Sequence, residues 1–398
     1  MIVSRQPRHE GGGAFNRHNG AVSTTVRKLT ANDAEQARQL GFEAFGVPPA
    51  PPTQPPSVDQ PGWAWFGAFD SDVLVARMVD REFDSWFGGV PLPTCGIAGV
   101  TVAAEYRGQG LLTPLFAETL RLAKERGANI SGLFPSAAGI YRRFGYELIA
   151  DYVAVEVRTQ SLAALPRPQS VRTRRAGAAD FDSVRAVYDT WACAQNGPLT
   201  RRGTAFPATA EQFISSYTGV SLAGRRGGIG LRLRLLEPRS GYGKNAMIEV
   251  ADLLATTADG YRALLSALGS FVSVTPTIRI DTSGADLVRL FLPGLEWRVA
   301  DSSPYMLKIL DVCGALSAVR YPTGMTAELG FSVAGDFLNE NNRGYRLDVA
   351  EGSGKCSADG QADRVITPRG LALLFSGTQS CQPGCRRTSE WRQRRSRS

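Results

Sequence analysis

The chain has 398 residues, 43% apolar and 21% charged, which is the composition of an ordinary globular protein with room for two to four domains. No apolar run approaches the roughly 18 residues of a membrane-spanning helix, and the net charge of +8 sits at the ends: six arginines against one glutamate in 386–398, three against one in 1–20. The body is therefore close to neutral and offers no basic face for nucleic acid. Its only histidines, His9 and His18, precede the body, so no Ser-His-Asp triad, Cys-His pair or His-bearing zinc site is expected in the folded part.

Residues 1–20 read as a disordered leader. They lack the apolar segment of a secretory signal, and the expected compartment is the cytoplasm. Val26–Leu29 reads as a strand, and Thr30 with Asp33 and Glu35 as a helix start. Trp63–Phe69 and Val73–Val79 form a hairpin signal around Asp70-Ser71-Asp72. Ile97–Val102 reads as a buried strand, Leu111–Arg126 as an amphipathic helix, Ile130–Phe134 as a strand, Ala137–Phe144 as a short helix and Tyr152–Val157 as a closing strand. After a linker at 166–170, Ala178–Trp191 and Asp259–Phe271 read as helices. Leu231–Leu236, Met247–Leu253 and Ile278–Ile280 read as strands. A third unit is expected near Ser302, with helices over Met306–Leu316 and Thr367–Phe375 and strands over Glu328–Val333 and Tyr345–Val349. Of the six cysteines, four sit in apolar or small-residue contexts and read as buried thiols. Cys381 and Cys385 lie in the tail, and no metal site is expected.

The chemistry is concentrated in one stretch. The strand ending Val100-Thr101-Val102 runs into Arg107-Gly108-Gln109-Gly110, which opens the helix at Leu111-Leu112-Thr113. Glycines let a ligand approach the backbone closely. A helix start presents unpaired N–H groups and the positive end of the dipole, a natural pyrophosphate cradle, and an arginine adds charge-assisted bonds. The Gly-Lys-Ser/Thr of a Walker loop and the three spaced glycines of a dinucleotide fingerprint are both absent.

With Gly139-Ile140-Tyr141-Arg142-Arg143-Phe144-Gly145-Tyr146 downstream, this stretch resembles motif A of the GNAT superfamily, and more narrowly the Eis family of N-acetyltransferases. Leu112 departs from the small residue usual at its position. The resemblance implies α/β and α+β architecture, with tandem GNAT-like domains, the second degenerate, and a C-terminal sterol-carrier-protein-like domain. The implied boundaries are a catalytic domain at 21–165, a degenerate one at 171–298 and a sterol-carrier-like one at 302–380. An Arg-rich atypical tail follows at 381–398.

The resemblance also implies acetyl-CoA as co-substrate, with no metal, held by Val100, Thr101, Val102, Arg107, Gly108, Gln109, Gly110, Leu111, Leu112, Thr113, Ser136 and Ala137. Tyr141 is implied as general acid. The implied acceptor is a primary amine, on an aminoglycoside-like small molecule or a protein lysine, and the implied assembly is a homohexamer; neither nucleic acid nor membrane is an expected partner. In the family the chain's own C-terminal carboxylate serves the active site. Here the family-like end is replaced by the Arg-rich tail, so Ser398 is not assigned that role. This leaves two rival expectations: a CoA-binding homologue with impaired chemistry, and a lipid binder built on the third domain. Trp63, Trp65, Trp86 and Phe87 are candidates to line a substrate cleft, and Asp80, Glu82 and Asp84 to attract a cationic amine.

Overall fold

Strand β1 (Thr24–Lys28) leads through a 3₁₀ turn into helix α1 (Ala34–Phe45). The hairpin follows as β2 (Trp63–Asp70) and β3 (Val73–Phe87), with Ser71 at a φ of 54° in the tight turn. β4 (Val90–Val102) returns antiparallel to β3. α2 (Leu112–Glu125) then crosses to β5 (Ile130–Leu133), parallel to β4, and α3 (Ala138–Arg142) precedes β6 (Glu147–Arg158). In this computed structural model the described residues are 24–46, 57–204, 206, 209–215, 219–223, 229–235, 247–282, 288–294, 296–360 and 364–378. The expected leader and Arg-rich tail lie outside them.

α2 forms because its apolar residues fall on one face. Leu115, Phe116, Leu120 and Ala123 are buried, while Arg121 bridges Glu118 and Glu125 on the solvent side. Gly127, at a φ of 96°, follows the end of the helix. Each large apolar side chain buried here contributes about 1.5–3 kcal/mol.

The second unit repeats the first. After α4 (Thr159–Ala163) and β7 (Thr173–Arg175) come α5 (Phe181–Ala192), α6 (Ala210–Ser215), β8 (Gly219–Ala223) and β9 (Ile229–Leu235). β10 (Met247–Ala255), α7 (Ala258–Gly269) and β11 (Thr277–Thr282) then make a parallel crossover like β4-α2-β5, and α8 (Val288–Phe291) ends the unit. The repetition reaches side-chain detail. Arg27 grips Asp33 at 2.7 Å and Arg174 grips Asp180 at 2.6 Å, both six residues apart, and each aspartate accepts the backbone N–H three residues before it, from Thr30 and Gly177.

Next comes β12 (Trp297–Ile309), and then α9 (Val312–Ala318), β13 (Ala327–Val333), β14 (Gly344–Ala350), β15 (Ser353–Ser357), β16 (Val365–Ile366) and α10 (Pro368–Ser376). β13 to β16 form a separate small sheet. The helix expected over Met306–Leu316 is corrected. The segment is strand to Ile309, and helix resumes only at Val312. Met306, Leu307, Lys308 and Ile309 are all buried mid-sheet, so the strand loses its in-and-out alternation, and periodicity cannot separate it from a buried helix.

β12 inserts between β5 and β6, antiparallel to both, and β6 pairs on its other side with β11. Both GNAT-like units thus share one twelve-stranded sheet, and the expected junction at 298–302 falls inside a strand that completes the first unit. The third unit lays its apolar face, including Phe331, Val333, Leu347 and Leu371, on Phe87, Leu92, Ile149 and Leu307 of that sheet. Two buried ion pairs cross the same junction. Lys308 meets Asp336 at 2.5 Å, and Glu147 is held by both Arg142, at 2.8 Å, and Arg369.

Candidate active site

The site begins where two parallel strands part. β4 and β5 pair only at Thr94–Ile130, Cys95–Ser131 and Gly96–Gly132. Beyond Gly96 the β5-facing edge of β4 has no strand partner among the described residues, so backbone groups from Ile97 to Val102 are available for an extended ligand. A bulge, with Gly99 at a φ of 57°, turns the strand inside that open stretch. The two glycines at the parting are dictated by crowding. A Cβ on Gly96 would stand 2.3 Å from the Phe83 ring, and one on Gly132 would stand 1.8 Å from the Tyr305 hydroxyl.

Because β4 and β5 are parallel, the loops after them emerge at the same edge of the sheet. The first loop carries Arg107, Gly108, Gln109 and Gly110, all exposed. Gly108 and Gly110 sit at φ values of 81° and 80°, which other residues reach only with strain. Tyr106 pins the loop by donating to Asp70 at 2.7 Å. Arg107 donates only its Nε, to the Val102 carbonyl at 3.3 Å, and makes no ion pair among the described residues. α2 starts at Leu112 without a side-chain cap, with Leu111 buried before it and Thr113 exposed after it. The matching helix α7 behaves differently. Thr257 caps it by accepting from Gly260 N at 3.2 Å, and no glycine loop precedes it. Of the two crossovers, the first alone leaves its helix start uncapped for an anion.

The second loop carries Ser136 and Ala137, both exposed, and leads into α3 with Tyr141. Tyr141 is 5% exposed and meets Phe116 and Tyr146 edge-on. Burial pushes its phenol above the ordinary tyrosine value, partly offset by a hydrogen bond with Ser136. It therefore holds its proton at neutral pH. Phe144 and Tyr146 are core residues. Tyr146 is anchored at 2.6 Å to Ser131, which also donates to the Cys95 carbonyl.

A cavity of about 450 Å³ opens at the parting of β4 and β5 and runs toward the second unit. Gly96 to Ala98, Gly132 to Phe134, Tyr152 and Tyr305 line it from the catalytic sheet; Tyr188, Trp191, Asp252 and Asp281 line it from the other side. Reading the sequence missed all of its aromatic and acidic residues, because they lie on separate elements with no shared motif.

The residues that reading proposed for the cleft lie elsewhere. Trp63 and Trp65 stack on each other and carry Arg81 and Arg77 over their faces. Phe87 is core, against Phe375 of α10. Asp80 is buried against Arg126 at 2.9 Å, and neither it nor Trp86, Glu82 or Asp84 lines the cavity. Of the four body cysteines only Cys95 is fully buried; Cys193, Cys313 and Cys356 are half-buried.

Comparison with known proteins adds a second line. Residues 25–149 match the acetyltransferase (GNAT) domain family, and residues 312–383 match the sterol carrier protein domain family. An uncharacterized N-acetyltransferase of Streptomyces griseus is 30% identical over 336 residues, spanning 79% of this chain and 80% of that protein. The N-acetyltransferase Eis of Mycobacterium tuberculosis is 28% identical over 311 residues, 73% of this chain and 72% of Eis. Two crystal structures share the fold. A GCN5-related N-acetyltransferase from Anabaena variabilis superposes with a TM-score of 0.74 at 21% identity, over 89% of this chain and 90% of that one. Eis1 from Mycobacterium abscessus gives 0.66 at 22% identity over 89% of each.

Proposed function

This chain belongs to the Eis family of GNAT N-acetyltransferases, and from that premise we propose that it moves an acetyl group from acetyl-CoA to a primary amine by direct attack on the thioester. The observation that carries the reading is the pairing of an open β4 edge with an uncapped helix start at the same end of the sheet. The β4 edge at Val100, Thr101 and Val102 takes the pantetheine amides. Gly108 to Thr113 hold the pyrophosphate through backbone N–H groups, with Arg107 beside them, and Ser136 and Ala137 close the opposite wall. The amine enters through the cavity at the parting of β4 and β5. Only its neutral form has the lone pair that attacks the carbonyl carbon. As the tetrahedral intermediate collapses, the C–S bond breaks and the CoA sulfur leaves as a thiolate. Tyr141 donates its phenolic proton to that sulfur, and the proton shed by the acylated nitrogen restores the phenol through solvent. The domain boundary at 165–171, the cytoplasmic location and the homohexamer belong to the same proposal.

A lipid-carrier reading of the third unit is disfavoured by its packing, since its apolar face is spent on the catalytic sheet. The test of the reaction is CoA release with the Tyr141→Phe variant. Turnover should fall about 10²-fold or more while acetyl-CoA affinity holds. An unchanged rate would remove Tyr141 from the chemistry.

A further inference from the structure

The cavity that admits the amine also says what kind of amine fits. Along one wall Phe134 lies 5.0 Å from Tyr305 and 6.5 Å from Tyr152, ring centre to ring centre. Phe134 and Tyr152 are 58% and 45% exposed, large apolar surfaces left uncovered inside a concave site. The row starts at the reacting end, since the Tyr305 hydroxyl sits over Gly132 where the strands part. It ends at Asp281, which lines the same cavity as Tyr152.

Five charged side chains line this path, and two of them, Arg201 and Asp252, are paired with each other. Asp252 is locked in a bidentate pair with Arg201, both bonds 2.7 Å. Asp151 lies at the exposed rim, bonded to Ser302. Arg81 adds positive charge and rests on Trp63. Asp281 is half-buried and enters no ion pair among the described residues, because Arg279 of the same strand engages Glu249 and Asp301 instead. Burial, and then Glu249, push its carboxyl up, with Arg279 opposing them.

We propose that the cavity is built for a diamine-type acceptor in which a flat apolar body separates the reacting amine from one remote ammonium, with Asp281 holding that ammonium and Phe134, Tyr152 and Tyr305 covering the body. An ammonium beside aromatic rings and one carboxylate is doubly held, by the ion pair and by the ring faces. A hydrophilic polycation meets a wall that is mostly apolar. The inference rests on the acetyltransferase reading above, and the experiment separates the two.

The probes are p-xylylenediamine, benzylamine, which lacks the second ammonium, and kanamycin, which lacks the apolar body. Binding is read from quenching of protein tryptophan fluorescence, Trp191 being in the cavity wall; reaction is read from CoA release. The diamine should bind, and its kcat/KM should exceed those of the other two by about tenfold or more, the effect of one charge-assisted bond. Asp281→Asn should raise the KM for the diamine by a similar factor and erase its advantage over benzylamine. No binding of the diamine, parity with benzylamine, preference for kanamycin, or indifference to Asp281→Asn would each overturn the proposal. Asp281-dependent binding of the diamine without CoA release would instead sink the reaction reading and leave the acceptor site standing.

Discussion

Lys308→Met is the sharpest test of how the third unit is attached. Lys308 is the penultimate residue of β12, fully buried, and its ammonium meets Asp336, whose side chain is 3% exposed, at 2.5 Å. Methionine keeps the length and apolar stem but leaves the carboxylate without its cation. Removing one partner of such a pair costs about 3–5 kcal/mol, most of it for the stranded charge. Asp336 would keep bonds from Leu338 N at 2.9 Å and Asn341 Nδ2 at 3.2 Å, so the lower end, about 3 kcal/mol, is expected. Adding Asp336→Asn removes the stranded charge and retains an acceptor for Leu338 N. The double variant should recover to within about 1 kcal/mol of the natural protein, about 2 kcal/mol better than Lys308→Met alone. Urea unfolding followed by tryptophan fluorescence reads both numbers, and limited proteolysis reports whether the third unit detaches first. A single variant within about 0.5 kcal/mol of the natural protein, or a double variant worse than the single, would refute the reasoning.

Arg107→Ala should weaken acetyl-CoA binding by about 1.5–3 kcal/mol and leave turnover at saturation nearly intact, as measured by calorimetry and thiol release; unchanged affinity would place the pyrophosphate elsewhere. Glu147 gives a pH signature. Burial alone would raise its carboxyl, but bonds from Arg142, Leu148 N and Arg369 outweigh burial and hold it below the ordinary value. Its folded pKa is thus depressed, so its contribution is present above the unfolded value near ~4.3 and is lost as pH falls through the lower folded value. Glu147→Gln should therefore flatten the acid limb of the stability-versus-pH curve, with parallel curves below about pH 5 counting against this role.

The local chemistry was legible because it is written in contiguous residues. A backbone at positive φ needs glycine, so Gly108 and Gly110 announce the loop wherever the strand goes. The spacing of Leu111, Leu115, Phe116 and Leu120 announces the helix that the loop opens, and Asp70-Ser71-Asp72 announces its hairpin. The internal repeat was legible only as a rhythm of strands and helices; the paired Arg27–Asp33 and Arg174–Asp180 clasps became visible once both were folded.

What no local pattern could carry is pairing across the chain. β12 enters the sheet between β5 and β6 more than a hundred residues after them. Buried on both faces there, its residues lose the alternation that marks a strand, which is why Met306–Leu316 read as a helix. The cavity has the same origin. Phe134, Tyr152, Asp281 and Tyr305 meet because β5, β6, β11 and β12 are neighbours in the sheet. By itself the sequence determined the glycine loop and the helix it opens, since a turn and a helix start are short-range backbone demands. The grouping of side chains around the cavity was decided by the order of strands, which depends on long-range hydrogen bonding that no short window of residues encodes.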